Sequence, residues 1–387
     1  MPHSTAPPPP SRIRWRRGRV TETGRRGRDS LELTVEVPAD GAVRALAYPS
    51  LVGLPEVGDD VLLNTTALAQ GLGTGGVALV VAVPDRLPPD PTGPGHLVKA
   101  RYSPLQVTVQ GVAEQDTEHH QLMIDADDLG GMPVVVADLH SALPAVLIGA
   151  LATDPDLKVA YVMTDGGALA AGFSRTVGAL SRSLAGVVTV GQAFGGDLEA
   201  VTLHTGLLAA RHVLGADLAI VTQGPGHVGT GSPWGFSGVA AGEACNAVSV
   251  LGGQPIGALR ISDADDRPRH RGVSHHNLTA FGRVALAGVT LVAPRGLGSE
   301  LGEQVDEDLA GQPERNPVVW VDTNGLEKAL SLSPVPLSTM GRGWPEERAY
   351  FLATAAAGRY AALAVLPPVT EVLPADDGPA AAAAQGE

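Results

Sequence analysis

The repeated alternation of short apolar segments with segments of helical length is the feature that most limits the folds open to this chain. From Pro133 onward the alternation occurs at least five times, and its apolar segments are rich in valine, isoleucine, alanine and leucine. Strands of this kind are required where helices cover both faces of a parallel sheet. The pattern therefore predicts a doubly wound α/β domain with a mainly parallel sheet over residues 133–365.

Helices are expected between these strands, near residues 143–151, 174–184, 199–214 and 238–251, with another that begins after Asn277. The apolar segment GVTLVAP is expected to close the series of strands. A last helix is predicted in PEERAYFLATAAAGRYAALAV, because Pro345 suits a first helical position and two glutamates follow it in the first turn.

The residues before this domain follow a different period. Residues 12–85 contain short runs of strand-like alternation separated by Gly, Pro and Asp turns, and they predict a small antiparallel β-barrel. The glycine-rich turn at 71–76 is expected to be a hairpin turn, with a ligand-binding loop as the alternative. Residues 86–132 are predicted to be a linker with connecting strands. Residues 1–11 and 366–387 are predicted to be disordered, because their composition offers little apolar surface to bury.

Composition narrows the class of protein further. The single cysteine, Cys245, excludes an internal disulfide and a cysteine-based metal cluster. The chain shows neither a secretory leader pattern nor a long uncharged apolar segment, so we expect a cytoplasmic protein without membrane contact.

The charge is distributed unevenly along the chain. The net charge is −14, yet the first 30 residues hold eight arginines and two acidic residues. Arg14, Arg16, Arg17 and Arg19 surround Trp15, and a barrel with such a basic strip could bind a nucleic-acid backbone. The alternative is a solvated basic face that opposes the acidic body.

Polar residues follow the predicted strands at the edge where ligands bind in open parallel sheets. The richest segment is RISDADDRPRHRGVSHH at residues 260–276, which holds three aspartates, four arginines and three histidines. Turns have no need for His, so this edge predicts a functional site. The candidate catalytic residues are Asp138, His140, Asp165, Asp197, His270 and His275.

A divalent metal ion is one hypothesis for this site. Its candidate ligands are oxygen and nitrogen donors of the kind that zinc, manganese and iron sites use, namely Asp138, His140, Asp165, Asp197 and His276. Asp138 and His140 would lie on one side of an extended segment, since the strand period is two. The alternative is that these histidines only form hydrogen bonds within loops.

The glycine-rich segment QGPGHVGTG points to an anion. Gly224, Gly226 and Gly229 have the spacing of a dinucleotide loop, but no prompt helix follows, no acidic residue stands at a predicted strand end about twenty residues later, and no Walker lysine is present. An anion site at this loop would comprise Gly224, Gly226, His227, Gly229, Thr230 and Arg269. The alternative for the glycines is a tight structural turn, and the alternative for the arginines is charge balance with the nearby aspartates.

Ser141 and Ser174 lack a Gly-x-Ser-x-Gly context, which argues against a serine hydrolase.

Several distinctive stretches span roughly residues 12–365, namely VLLNTTALAQGLGTGG, KARYSPLQ, VMTDGGAL, GQAFGGDLEAVTLHTGLLAARHVLGADLAIVTQGPGHVGTG and RISDADDRPRHRGVSHHNLTAFGRVAL. With these stretches the chain resembles a bacterial protein family of unknown function that is found mainly in Gram-positive lineages. The resemblance implies that the barrel and the α/β body form one unit. It implies no activity.

Two classes of function follow from the sequence. The first is a hydrolase or transferase that acts on a small anionic or phosphorylated substrate at the carboxyl edge of the sheet, with a divalent metal as its candidate cofactor. The second is a nucleic-acid-associated or purely structural, partner-binding protein. Both are compatible with a monomer or an oligomer.

Overall fold

The computed structural model describes residues 11–38, 40–73 and 75–366. The predicted disorder at both termini falls outside these residues, except at Ser11 and Leu366. None of the helices in the described ranges is long and apolar enough to cross a lipid bilayer.

The N-terminal unit is a closed barrel of five strands, as predicted. Alternate residues of each strand face its interior, for example Leu33 and Val35, because side chains alternate across a strand. The elements are β1 (Trp15–Arg26), β2 (Leu31–Val37), β3 (Gly41–Ala47), α1 (Pro49–Val52), β4 (Asp60–Asn64), α2 (Thr66–Ala69) and β5 (Ala78–Ala82). The strands pair in the order β1-β2-β3-β5-β4, and β4 returns to β1. One pair, β3 with β5, is parallel.

A connecting segment follows the barrel and attaches to the second unit through a buried lysine. It comprises β6 (Leu97–Lys99), β7 (Val107–Val109) and α3 (His120–Asp125). The fully buried ammonium of Lys99 lies 2.7 Å from a carboxylate oxygen of Glu199 and donates to the carbonyl oxygens of Thr189 and Ala193. A buried charge needs such partners, so this contact fixes the connecting segment to the edge of the sheet.

The second unit contains a parallel sheet of eight strands with helices on both faces, which confirms the doubly wound α/β prediction. Its strands are β8 (Pro133–Val136), β9 (Val159–Thr164), β10 (Gly186–Thr189), β11 (Leu198–Glu199), β12 (Leu218–Gln223), β13 (Gln254–Ala258), β16 (Thr290–Pro294) and β17 (Val318–Val321). The strand order is β11-β10-β9-β12-β8-β13-β16-β17. Short hairpins are formed by β14 (Ile261–Ser262) with β15 (Gly272–Val273), and by β18 (Ser338–Thr339) with β19 (Arg342–Gly343).

Two apolar layers hold the helices against the sheet. One layer contains α4 (Leu143–Leu151), α5 (Arg175–Leu180), α10 (Leu326–Ser331) and α11 (Arg348–Val365). The other contains α3, α6 (Leu203–His212), α7 (Ala240–Val250) and α9 (Ser299–Ala310). A short helix, α8 (His275–Thr279), continues as a π-helical turn at Ala280–Val284.

Two predicted helix starts were wrong. The helix expected after Asn277 begins at His275, because the Ser274 hydroxyl accepts a hydrogen bond from the His276 backbone and caps it. The last helix begins at Arg348 instead of Pro345. Glu347 is turned inward, 1% exposed, and its carboxylate binds Ser262 and Arg342, so the preceding residues form a turn.

Helices α4 and α11 cross at two glycines. A Cβ atom at Gly149 would overlap the carbonyl oxygen of Ala355, and one at Gly358 would overlap that of Val146. Because these contacts are with backbone, a side chain at either position would force the helices apart.

We therefore expect Gly149→Ala to lower the free energy of unfolding by about 1–3 kcal/mol through overpacking. Gly302→Ala in α9 is the matched control, because a Cβ there meets no described atom within 4 Å. The control should raise stability by up to about 1 kcal/mol through helix propensity. Urea denaturation of the full chain measures both, and a stabilised Gly149→Ala variant would contradict the close crossing.

Candidate functional site

Histidine rings gather where the chain leaves the carboxyl ends of β12 and β13. His270 ends a 3₁₀ turn, and His275 and His276 begin α8. Each of these three residues offers one nitrogen, and the three nitrogens lie within 4.8 Å of one another. The ring centroids are 4.4 Å apart for His275 and His276, and 4.8 Å apart for His270 and His276. We call these three residues, with His227, the histidine cluster.

The loop after β12 covers one side of the cluster. The Phe236 ring stacks on His276 with centroids 3.8 Å apart, and His227 stacks on the same imidazole at 4.9 Å. A backbone bridge between Gly229 and Phe236 shapes this loop as a hairpin. The hairpin therefore brings His227 and Phe236 onto the histidines of α8.

Buried polar atoms without a hydrogen-bond partner are concentrated at this place. Such atoms are rare in folded proteins, and they are satisfied by water, an ion or a ligand. Asp138 is 2% exposed, and its Oδ2 lies 3.7 Å from His276 Nδ1, beyond hydrogen-bond distance. The unsatisfied atoms within the described chain here are Asp138 Oδ2, Gln223 Oε1, His227 Nε2, His275 Nε2, His276 Nδ1 and Asn277 Nδ2. These atoms can therefore bind a water molecule, an ion or a polar ligand.

Neighbouring side chains orient the rings. The Ser274 hydroxyl lies 2.8 Å from His270 Nδ1, which leaves His270 Nε2 for a ligand. The Gln223 amide donates both to His227 Nδ1 and to the Asp138 carbonyl oxygen, each at 3.0 Å. A neutral His227 that accepts at Nδ1 has its proton on Nε2.

The protonation states suit a cation site. Burial, helped by Arg260 and Arg267, lowers the pKa of His270 to about 3, and burial with His276 and Arg269 lowers the pKa of His275 to about 4. Both imidazoles are therefore neutral near pH 7, as metal ligands must be. Burial alone would raise the pKa of Asp138, but His276 and Arg260 outweigh it and hold the pKa below its ordinary value.

A buried ion network holds the segment 260–276 in place. Asp265 is 1% exposed and pairs with Arg260 at 3.2 Å, Arg267 at 2.8 Å and Arg342 at 3.1 Å. Hydrogen bonds and charge from these arginines hold the pKa of Asp265 far below its ordinary value. Arg342 also pairs with Glu347, which links this segment to the start of α11. No local sequence signal pointed to Arg342 or Glu347, because both are distant in sequence from the loop they fix.

The candidate metal ligands do not all lie together. Asp138 and His276 approach each other, whereas both ring nitrogens of His140 are occupied by Tyr161 Oη at 3.0 Å and Ser174 Oγ at 2.7 Å. Burial also lowers the pKa of His140 to about 4. His140 therefore belongs to a separate, internally satisfied hydrogen-bond chain.

The two other candidate carboxylates have structural partners. Asp165 is exposed and accepts a hydrogen bond from the Gln192 backbone at 2.8 Å. Asp197 pairs with Arg28 of the barrel at 2.5 Å and accepts from the Val187 backbone at 2.8 Å. Asp197 thus joins the two units of the chain.

The glycine-rich segment is largely explained by packing. A Cβ at Gly224 would overlap the Ala168 carbonyl oxygen, and Gly226 has a φ of +98°. Thr230 closes the hairpin, because its backbone N–H donates to the Gly235 carbonyl at 2.7 Å. The tight-turn alternative accounts for these residues, and anion binding by this loop stays a prediction.

The arginines of the segment 260–276 differ in their surroundings. Arg267 pairs with Asp265, and Arg271 donates to the Asp265 carbonyl oxygen at 3.1 Å. Arg269 is exposed beside Gly231, and within the described ranges it forms no ion pair. Its guanidinium is therefore the one in this segment best placed to meet an anion from solvent.

The basic strip of the barrel is balanced by acidic residues of the barrel itself. Arg14 and Arg16 pair with Asp40, and Arg17 and Arg19 pair with Asp60, at 2.7–3.2 Å. Exposed pairs of this kind are weak, so phosphate groups could still compete for them. Binding of nucleic acid through this strip stays a prediction.

Most of the chain matches a known family. Residues 44–358 match a family model described as "Protein of unknown function (DUF3866)". No curated protein matches the chain.

We expect Asp265→Ala to lower the free energy of unfolding by about 3–5 kcal/mol, because it leaves buried Arg260 without its carboxylate. Asp266→Ala, at an exposed neighbour, should change it by less than about 0.5 kcal/mol. Denaturant unfolding of both variants checks this.

The Asp265 contribution should also depend on pH. A carboxylate whose pKa is depressed by folding stabilises the protein above its unfolded pKa of about 4 and loses that effect as the pH falls. The difference between wild type and Asp265→Ala should thus be constant from about pH 8 to pH 5 and shrink below about pH 4. A difference that grows in acid would contradict the ion network.

Proposed function

The chain belongs to the DUF3866 family of proteins of unknown function, and from its own residues we propose that it is a metal-dependent hydrolase or transferase acting on a small anionic substrate. The observation that supports this most is the approach of one nitrogen from each of His270, His275 and His276 to within 4.8 Å of one another. Buried polar atoms without a protein partner lie beside these nitrogens, and a bound ion, water or ligand would satisfy them.

The donor set fits a divalent transition metal. Neutral imidazoles suit zinc, iron and nickel, and three histidines that leave one coordination position open are typical of catalytic zinc sites. We assign the ligand role to His270, His275 and His276, which the structure brings together. A metal ion held there would act as a Lewis acid and lower the pKa of water.

The residues around the ligands supply orientation and charge. The Asp138 carboxylate faces His276 Nδ1 and would orient that ring, as carboxylates do for metal-bound histidines. Ser274 does the same for His270. The unsatisfied Nε2–H of His227 is a hydrogen-bond donor for a substrate oxygen.

The substrate class is proposed from Arg269, the exposed arginine of the segment 260–276 that forms no ion pair within the described ranges. Its guanidinium lies beside Gly231, and its charge contributes to the lowered pKa of His275. A guanidinium binds phosphate or carboxylate oxygens through two parallel hydrogen bonds. A small anion would therefore contact the metal, His227 and Arg269 together.

Metal binding is the first test. Wild-type protein should bind one Zn²⁺ per chain in calorimetric titration, and His270→Gln and His276→Gln should each weaken binding by at least about tenfold. His204→Gln, an exposed histidine in α6, is the control and should bind like wild type. Absence of stoichiometric binding of Zn²⁺, Mn²⁺, Fe²⁺ or Ni²⁺ by wild type would refute the proposal.

Anion binding is the second test. Inorganic phosphate should bind to the metal-loaded protein, and Arg269→Gln should raise the Kd about fivefold, the effect of losing about 1 kcal/mol at an exposed charge pair. Arg182→Gln, which removes an exposed arginine after α5, should leave the Kd unchanged. Equal affinities of the two variants for phosphate would show that Arg269 does not contact the anion.

Hydrolysis of p-nitrophenyl phosphate by the metal-loaded wild type, abolished in His276→Gln, would establish the activity.

A further inference from the structure

A large cavity of the described chain lies between the barrel and the α/β unit, and the three histidine ligands are outside its lining. It is an open cleft of about 760 Å³, within the range of about 300–1,000 Å³ that is usual for small-molecule sites. Leu68 and Leu79 of the barrel line one wall. Leu169, Phe173 and Phe194 of the α/β unit line the other.

The cleft is lined by uncharged side chains, most of them apolar. None of the described residues that line it has a charged side chain, although charged residues make up 18% of the chain. Its polar side chains are neutral, and Asn64, Thr66 and Gln70 come from the short β4–α2 segment at one side. Such a cleft disfavours an ionised group, which would lose its hydration without gaining a partner.

Apolar side chains of the barrel are left uncovered in this cleft. Leu79 lies on β5 between the buried residues Ala78 and Val80, so it points out of the barrel, and it is 38% exposed. A molecule in the cleft would remove Leu79 and the partly exposed Phe173 from water, which is the main source of affinity for an apolar ligand.

The loop after β6 also lines the cleft, and its backbone has an unusual conformation. Ala100 and Tyr102 both have positive φ angles, +49° and +59°, in the loop after β6, and Ala100 and Leu105 of this loop line the cleft. Residues other than glycine adopt this conformation at a cost, and such conformations cluster at ligand-binding segments. The glycine-rich turn at 71–76, for which a ligand loop was the alternative, also contributes Gly73 and Gly75 to the lining.

We infer that this cleft binds an uncharged apolar small molecule. The site is separate from the proposed metal site in chemistry and does not depend on it. Gly226 lines the cleft and directly precedes His227, so the two sites share one loop.

Fluorescence titration of the full chain with the neutral dye N-phenyl-1-naphthylamine tests the inference. We expect saturable binding of one dye per chain. The anionic dye 8-anilino-1-naphthalenesulfonate should bind at least about tenfold more weakly, because none of the described residues that line the cleft is cationic. Binding that does not saturate, or preference for the anionic dye, would overturn the inference.

Substitutions in the lining test whether the dye binds in the cleft. Leu79→Glu places a charge in the cleft and should weaken binding of the neutral dye by at least about tenfold. Leu87→Glu is the matched control, because Leu87 is 72% exposed and outside the lining, and it should bind like wild type. Ala67→Trp fills the cleft without adding charge and should also weaken binding, which keeps the test decisive if Leu79→Glu does not fold. Wild-type affinity in folded Leu79→Glu and Ala67→Trp would overturn the inference.

Two controls concern the metal and the oligomeric state. Treatment with a chelator should leave dye binding unchanged, whether or not the chain binds a metal at the histidine cluster. If light scattering shows that the chain dimerises and that dimerisation excludes the dye, the cleft is an interface between copies and the inference fails.

Discussion

The contact on which the candidate site depends is the buried carboxylate of Asp265 with its three arginines. The segment 260–276 contains only short hairpin strands and a 3₁₀ turn before the start of α8, so regular hydrogen bonding alone cannot hold it. Asp265 and Arg342 join it to the start of α11, a helix whose buried residues reach both apolar layers. Taking charges out of water is costly, and removal of one partner costs more than the pair contributes. The network therefore favours one position of the loop, and with it one position of the histidines.

Two surfaces of contrasting chemistry meet at the loop after β12. On one side, His227 and Phe236 pack on the neutral histidines of α8, near Asp138 and the arginines. On the other side, Pro225 and Gly226 line an uncharged cleft against the barrel. Contacts that join the barrel and connecting segment to the body, such as Arg28 with Asp197 and Lys99 with Glu199, lie outside this lining. Neither ion pair therefore adds a charged side chain to the described lining of the cleft.

Much of the architecture could be predicted because it depends on local pattern. Near-continuous valine and alanine runs favour strands buried on both faces, and the alternation in LELTVEV favours a strand with one face inside the barrel. The same reasoning placed Asp138, His227, His270, His275 and His276 at one edge. It could not separate His140, which follows the same strand as Asp138 but bonds to Tyr161 and Ser174. His140 lies four residues beyond the end of β8, where the chain has already turned, so the strand period no longer predicts which way its side chain points.

The fold class, the barrel and the edge of the sheet where polar side chains collect all follow from the amino-acid order, because burial pattern and strand direction are properties of short segments. Which of those side chains meet depends instead on how distant segments pack. Asp165 and Asp197 were as plausible as Asp138 by residue type, yet they bind Gln192 and Arg28, which are distant from the segment 260–276 in sequence. The cleft between the units could not be predicted for the same reason, since its walls come from segments that approach only when barrel and sheet pack together.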